Sequence, residues 1–194
     1  MKTYEEVMQL TRTISGEAAL EEPDARGLYN ALLEVPTDGL VVEVGCQLGR
    51  SSSLILQLAQ DQGFHSVHVD NHKQQPDYLR QWIQMAWEIG GDDDHRFTLL
   101  CMRTEQGRLL LDKLCRDGID LAFIDGDHNY PGVMMDLEVL APQVKVGGLL
   151  TLHDYGRNSL PAVWRAANDY IDESGDGQWD QVGVFGTLGV WRRR

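Results

Sequence analysis

Acidic and histidine side chains follow two apolar segments of the chain. The segment FIDGDHNY carries Asp125, Asp127 and His128, and the segment TLHDY carries His153 and Asp154. If the two apolar runs are parallel strands, both deliver these side chains to the carboxyl edge of the sheet, where doubly wound folds bind ligands. Carboxylates and imidazoles in one place can transfer protons or hold a divalent cation, so we expect the chemistry of the protein at this edge.

A second pattern, VVEVGCQLGRSS, joins an apolar run to a glycine-bearing turn. Glu43, Gly45 and Gly49 lie here, and glycine lets the backbone turn sharply and approach a ligand beside the amino end of a helix. The spacing is G-x-x-x-G, which differs from the dinucleotide motif G-x-G-x-x-G. Asp70 ends the next apolar run, 21 residues after Gly49, where a carboxylate can accept hydrogen bonds from both ribose hydroxyls. The combination predicts a nucleoside ligand.

The elements that must position these residues alternate along the chain. The predicted strands are 39–44, 66–69, 97–102, 121–124, 149–152, 181–185 and 187–191, and the predicted helices are 4–13, 23–35, 51–60, 78–89, 108–115, 134–140 and 162–171. Strands that alternate with helices indicate βαβ units and a mostly parallel sheet. We therefore predict an α/β fold: one doubly wound domain with a seven-stranded sheet and an antiparallel last strand. Residues 39–194 form its main part, and the N-terminal helices within residues 1–38 pack on it.

Composition limits the classes of partner. The 194 residues include 17 Lys and Arg against 30 Asp and Glu, a net charge of −13, and 42% are hydrophobic. The acidic excess disfavours nucleic acid, because affinity for it comes from neutralising phosphates, and it equally disfavours anionic membrane surfaces. No apolar run is long enough to predict a membrane span. Three distant cysteines indicate neither a disulfide framework nor a zinc ribbon, and the N-terminus has no signal-peptide pattern, so we expect a cytoplasmic protein.

The chain resembles class I S-adenosylmethionine-dependent methyltransferases, which have a Rossmann-like fold. The pattern E-x-G-x-x-x-G-x-S, which begins at Glu43 and ends at Ser51, looks like their first motif. Three segments look like the bacterial small-molecule branch that includes macrocin-type sugar O-methyltransferases: EVGCQLGRSS, DLAFIDGDHNYPGVMMDLEVLAPQVKVGGLLTLHDYG and GTLGVWRR. The resemblance implies methyl transfer from S-adenosylmethionine to a hydroxyl oxygen of a small molecule, such as a sugar or a secondary metabolite.

The resemblance also implies the contacts of the cofactor. Gly45 and Gly49 would pass under the methionine part of S-adenosylmethionine, Ser51 would bind its carboxylate, and Asp70 would hold its ribose. Three residues just past the third strand would lie near the adenine ring, with core packing as the alternative for the first of them. The full expected set is Glu43, Gly45, Gly49, Ser51, Asp70, Met102, Arg103, Thr104 and Asp125.

Two further roles are implied for the carboxyl edge. His128 would be the proton acceptor beside Asp125, and an unperturbed imidazole pKa of about 6.5 suits that task; a helix cap or a bond to Asp154 is the structural alternative. Asp127 is predicted to cap the following helix. In the resembling enzymes acids at two strand ends hold a divalent cation, and the matching ligands here are Asp125, His153 and Asp154. His153 stands where an acid is usual, which favours Mn²⁺ or Fe²⁺, or no metal, over Mg²⁺.

Other functions stay open at this level. A nicotinamide-dependent oxidoreductase would have the same kind of fold, but the sequence does not favour this function, since the dinucleotide motif G-x-G-x-x-G is absent. A non-catalytic nucleoside-binding domain and a methyltransferase acting on nitrogen or on a macromolecule are further alternatives, the last disfavoured by the acidic composition. A homodimer suits a small intracellular enzyme, although nothing in the chain requires one.

Overall fold

The computed structural model describes residues 2–15, 20–72, 76–90, 96–173 and 177–194. The helices are α1 (Tyr4–Ser15), α2 (Glu22–Leu32), α3 (Arg50–Gln62), α4 (Pro76–Gly90), α5 (Thr104–Leu114), α6 (Tyr130–Leu140) and α7 (Pro161–Glu173), with a 3₁₀ turn at Ala141–Gln143. The strands are β1 (Leu40–Val44), β2 (His65–Val69), β3 (Phe97–Leu100), β4 (Ile119–Ile124), β5 (Val144–Leu152), β6 (Trp179–Phe185) and β7 (Leu188–Arg193). None of the described helices combines the length and the apolar character that crossing a membrane requires.

The strands of the described residues form one sheet in the order β3-β2-β1-β4-β5-β7-β6. Strands β1 to β5 pair in parallel, and β7 runs antiparallel to both of its neighbours, β5 and β6. The predicted mostly parallel, seven-stranded sheet with an antiparallel last strand is confirmed. The strand order reverses between β1 and β4, so the carboxyl ends of these two strands flank the crevice at which doubly wound sheets bind ligands.

Alternate residues of the strands face two layers of helices. Val41 of β1 packs in the cluster that includes side chains of α1, α2 and α3, whereas Val42 and Val44 pack in the cluster that includes α5, α6 and α7. Both faces of the sheet are therefore covered, which explains why the parallel strands read as near-continuous apolar runs. The helices of the first 38 residues share the first of these two cores with the sheet.

Two elements begin earlier than their periodicity predicts. Helix α5 begins at Thr104, where the Gln106 side-chain oxygen accepts a hydrogen bond from the Arg103 N–H at 3.3 Å. Strand β5 begins at Val144, five residues before the predicted start, although Gly147 and Gly148 are typical of a turn. The pairing of β5 with β4 shifts register between Ile119 and Leu121, so the glycines lie within an irregular part of the strand.

Helix α6 also begins earlier, at Tyr130, and its cap differs from the prediction. Asn129 is the capping residue, since its side-chain oxygen accepts a hydrogen bond from the Gly132 N–H at 3.0 Å. Asp127 instead accepts a bond from the Asn129 N–H at 3.3 Å. The prediction that Asp127 caps this helix is therefore wrong, because a second residue with capping chemistry lies two positions closer to the helix.

Candidate active site

The glycine turn after β1 lies directly against the strand end that carries Asp125. Gly45 has a left-handed backbone (φ 87°), and a Cβ atom there would clash with the Asp125 carbonyl oxygen. Gly49 is also left-handed (φ 85°), and a Cβ atom there would clash with the Met85 side chain. A side chain fits neither position. The backbone of the turn is therefore not covered by side chains of its own at these two residues, at the edge of the sheet.

Helix α3 begins directly after this turn, with Gly49 as its N-cap and no side-chain hydrogen bond at the cap. The first N–H groups of a helix have no partner within the helix, and the positive end of the helix dipole lies there. This amino end can therefore receive an anion such as a carboxylate.

Asp70, at the carboxyl end of β2, anchors the turn. Its Oδ2 accepts hydrogen bonds from the N–H groups of Cys46 and Gln47, both at 2.9 Å. Its Oδ1 accepts a bond from the His72 N–H at 2.8 Å. A carboxylate has about four acceptor positions, and the side chain is 18% exposed, so Asp70 can still accept hydrogen bonds from a ligand while it shapes the turn.

Beneath the turn, Glu43 is the centre of a closed hydrogen-bond network. The Ser51 hydroxyl donates to one carboxyl oxygen, and the Ser52 hydroxyl donates to the other at 2.5 Å. His68 Nδ1 lies 2.5 Å from Glu43 Oε2, and its Nε2 lies 2.8 Å from Ser66 Oγ. Both Glu43 and His68 are 0% exposed. The Glu43 side chain is therefore enclosed and supports the turn from below, and a contact between Glu43 and the cofactor stays a prediction.

Ser51 takes part in the same network. Its side chain is buried and its hydroxyl proton is directed to Glu43, so this proton is not available to a cofactor carboxylate. The amino end of α3 offers backbone N–H groups at the same place. A contact between Ser51 and the cofactor stays a prediction.

The three residues expected near the adenine ring differ in accessibility. Met102 is half-buried and packs against the core, while Arg103 is exposed and lies 3.7 Å from Glu105. Thr104 is buried and hydrogen-bonded to Asp136. Thr104 is thus engaged below the surface, and the contacts of Met102 and Arg103 with a cofactor stay predictions.

The two strand ends bring the acidic and histidine residues together as expected. His128 Nε2 lies 2.9 Å from Asp154 Oδ2 and 3.5 Å from Asp125 Oδ1. His153 Nδ1 lies 3.1 Å from Asp125 Oδ1 and 3.6 Å from Asp154 Oδ2. Asp154 has a left-handed backbone (φ 60°), and the Arg157 Nε lies 2.8 Å from its Oδ1. We call Asp125, His128, His153 and Asp154 the edge cluster.

The carboxylates control the proton affinity of both rings. Hydrogen bonds to Asp125 and Asp154 raise the pKa of His128 to about 9. Burial opposes protonation of His153, but the same two carboxylates outweigh it and raise its pKa to about 10. Burial acts to raise the pKa of Asp154, yet hydrogen bonds to His128 and His153 hold it well below its usual range. The His128 ring therefore holds its proton more tightly than a free imidazole does, and its role as proton acceptor stays a prediction.

Two groups of three side chains among the described residues have metal-binding geometry. One is Glu43, Cys46 and His68, which is buried; the other is Asp125, His128 and Asp154 of the edge cluster, in which the ligand atoms lie within 4.8 Å of one another. His153, expected as a ligand, instead directs Nδ1 to the Asp125 carboxylate. His128 thus joins Asp125 and Asp154 as a candidate ligand, and the expected set of Asp125, His153 and Asp154 stays a prediction.

Sequence reasoning missed two residues of the site. Arg157 forms an ion pair with the buried Asp154, and the spacing of three residues between them is the signal that the sequence offers. His72 is buried with a left-handed backbone (φ 46°) and donates its N–H to Asp70. No spacing rule identifies His72.

The mostly parallel seven-stranded sheet with an antiparallel last strand matches the Rossmann-like fold of methyltransferases. Residues 42–155 match the family model described as "Methyltransferase domain". The chain belongs to this family of S-adenosylmethionine-dependent methyltransferases.

Solved structures share this fold at low identity. CalS11, a TDP-rhamnose 3'-O-methyltransferase of calicheamicin biosynthesis, matches with a TM-score of 0.69 and 16% identity over 99% of this chain and 96% of its own. The O-methyltransferase NovP matches with a TM-score of 0.66 and 16% identity over 96% and 97%. The methyltransferase PaMTH1 of Podospora anserina, solved with S-adenosylhomocysteine bound, matches with a TM-score of 0.66 and 17% identity over 98% and 87%.

Proposed function

We propose that this methyltransferase transfers the methyl group of S-adenosylmethionine to a hydroxyl oxygen of a small molecule. The observation that carries the proposal is the contact between the bare glycine turn and the strand end of Asp125. The glycine turn, whose backbone suits a nucleoside, therefore lies beside the edge cluster, whose side chains suit an alcohol. The names of CalS11 and NovP describe O-methyltransferases, which agrees with this assignment.

The residues of the turn fit S-adenosylmethionine. The amino end of α3 would receive its carboxylate, the backbone at Gly45 and Gly49 would lie under its methionine part, and Asp70 would accept hydrogen bonds from its ribose. When bound, this cofactor supplies a methyl group on a cationic sulfur.

The edge cluster would orient the acceptor hydroxyl and assist the removal of its proton. An alcohol must lose its proton to become a good nucleophile, and a positioned base or a cation achieves this. His128 is 43% exposed and Asp125 is 23% exposed, so both can reach a substrate, whereas Asp154 is enclosed. We assign orientation of the hydroxyl to His128 and Asp125, and assign to Asp154 the role of holding His128.

Three finer features belong to the same proposal. A divalent cation would bind at the edge cluster. A homodimer would supply acceptor-binding surface, because most of the 194 residues are used by the cofactor fold. A cytoplasmic location agrees with the free cysteines Cys46, Cys101 and Cys115, since thiols persist in reducing compartments. The net charge of −13 favours a small-molecule acceptor over nucleic acid.

The test is transfer of a labelled methyl group from S-adenosylmethionine to a panel of acceptors. The panel contains nucleotide sugars, free sugars, phenols, primary amines and total RNA, each assayed with and without added divalent cations. We expect label in at least one hydroxyl compound, with the methyl group located on oxygen by mass spectrometry. Label confined to amines or RNA would overturn the proposal.

A further inference from the structure

A carboxyl group interrupts the apolar stripe of helix α6. The buried residues of this helix are Val133, Asp136, Leu137, Val139 and Leu140. Asp136 is only 6% exposed, although a charged side chain is rarely buried unless it is paired. The charged groups that act on it, Glu105 of α5 and Asp127 of the loop before α6, are both acidic. A charge at this position therefore weakens the core, which points to a role of Asp136 other than stability.

The Asp136 carboxyl contacts two segments at the carboxyl edge of the sheet. It is hydrogen-bonded to Thr104, the first residue of α5. It also lies against Gly126, where a Cβ atom would be 2.7 Å from Asp136 Oδ2. Thr104 ends the segment that follows β3, and Gly126 lies in the segment that follows β4. One buried side chain therefore contacts both of these segments.

The strand order places the proposed cofactor residues between these two segments. Strands β3 and β4 are separated in the sheet by β2 and β1. Asp70 follows β2, and the glycine turn follows β1. A nucleoside held by Asp70 at this edge would therefore be bordered by the segment after β3 on one side and by the segment after β4 on the other. The spacing of the two segments then sets the width of the crevice.

We infer that Asp136 is a positioning residue that fixes the spacing of these two segments, so that the crevice fits the nucleoside of S-adenosylmethionine. The inference rests on the proposed function. The carboxyl acts through its hydrogen bond to Thr104 and its fit against Gly126, and it does not touch the cofactor. Burial, together with Glu105 and Asp127, raises its pKa to about 6, so its charge destabilises the fold at neutral pH. Asp136 therefore affects cofactor affinity and stability in opposite directions.

The experiment compares two variants of similar shape at neutral pH, using calorimetry for the Kd of S-adenosylmethionine and urea denaturation for the free energy of unfolding. Asp136→Asn keeps an oxygen that accepts the Thr104 hydrogen bond, so it should bind the cofactor like the unmodified protein. Asp136→Leu has the same branching but no polar atom. Its Kd should rise about tenfold, within the range by which residues outside a binding site change affinity. Its free energy of unfolding should be unchanged or higher, because an apolar side chain replaces a buried charge.

The matched control is Glu138→Leu, at an exposed carboxyl of the same helix, which should leave the Kd unchanged. The inference is overturned if Asp136→Leu binds S-adenosylmethionine like the unmodified protein, if it is less stable or fails to fold, or if Asp136→Asn loses as much affinity as Asp136→Leu. These outcomes remove only the inference as long as the unmodified protein binds the cofactor. An unmodified protein that binds no S-adenosylmethionine removes the proposed function as well.

Discussion

Among the described residues, two clusters that pair carboxyl groups with histidine lie on or after the neighbouring strands β1 and β4, and they are built in opposite ways. In the cluster around Glu43, each carboxyl oxygen has a hydroxyl donor, both histidine nitrogens have partners, and nothing is exposed. In the edge cluster, two carboxylates face two histidines and His128 is partly exposed. Its buried His153 Nε2 has no hydrogen-bond partner within the part of the chain that the structure describes.

The difference indicates a structural role for the Glu43 cluster and a functional role for the edge cluster. Buried polar groups are normally hydrogen-bonded, and exceptions call for an explanation such as catalysis or an ion. The Glu43 cluster meets the rule, so it stabilises the turn and has no capacity left for a ligand. The edge cluster departs from the rule at the buried Nε2 of His153. Its exposed His128 and partly exposed Asp125 remain accessible to a substrate.

The largest expected effect comes from the edge cluster. Asp154→Asn keeps the shape of the side chain and tolerates the left-handed backbone, but it removes the charge that holds His128. We expect kcat to fall about 10²- to 10⁴-fold, the usual contribution of acid–base groups, with the affinity for S-adenosylmethionine nearly unchanged. Steady-state kinetics with Asp180→Asn, an exposed aspartate paired with Arg194, gives the matched control. Equal losses in turnover and cofactor affinity would show that Asp154 is structural.

The second-largest effect is expected from a substitution that disrupts the Glu43 cluster. Glu43→Ala leaves Ser51, Ser52 and His68 without their shared acceptor, and removing one partner of a buried pair costs about 3–5 kcal/mol. We expect this loss in the free energy of unfolding, measured in urea. The surface pair of Glu34 with Arg192 is the comparison, because Glu34→Ala should cost about 1 kcal/mol or less. Similar losses for both variants would contradict the supporting role of Glu43.

A third prediction concerns Asp136, a buried carboxyl without a histidine partner. Burial raises its pKa to about 6 from the ordinary 3.8, opposed by a hydrogen bond from Thr104. The folded protein therefore holds this proton more tightly, and the stabilisation present below about pH 4 is lost as the pH rises through about 6. Asp136→Asn should remove that loss. Its free energy of unfolding, relative to the unmodified protein, should rise by about 2 kcal/mol between pH 4.5 and 7.5; a difference independent of pH would refute it.

The smallest expected effect tests the other side of the site. Asp70→Ala removes the acceptor for the Cys46 and Gln47 N–H groups and for a cofactor ribose. A hydrogen bond to a charged group contributes about 1.5–3 kcal/mol, so we expect the Kd for S-adenosylmethionine to rise about tenfold or more. Calorimetry measures it, with Asp38→Ala, at an exposed aspartate, as the control. An unchanged Kd would exclude Asp70 from the cofactor site.

The sequence predicted the fold and the meeting of Asp125 with Asp154, because apolar runs identify buried strands and the carboxyl ends of parallel strands share one edge. It could not predict that Glu43 and His68 are opposite each other on β1 and β2, since strand register is not visible in a single chain. It also could not predict that the rings of both His128 and His153 lie beside Asp125 and Asp154. Which ring nitrogen faces a carboxylate depends on side-chain rotamers, and rotamers are set by packing.

The central claim is that the glycine turn and the edge cluster form one site for S-adenosylmethionine. Calorimetric titration of the purified protein with S-adenosylmethionine, and with NAD in parallel, tests it most directly. We expect saturable binding of S-adenosylmethionine with one site per chain and no binding of NAD. An absence of heat with S-adenosylmethionine at millimolar concentration, or preferential binding of NAD, would contradict the claim.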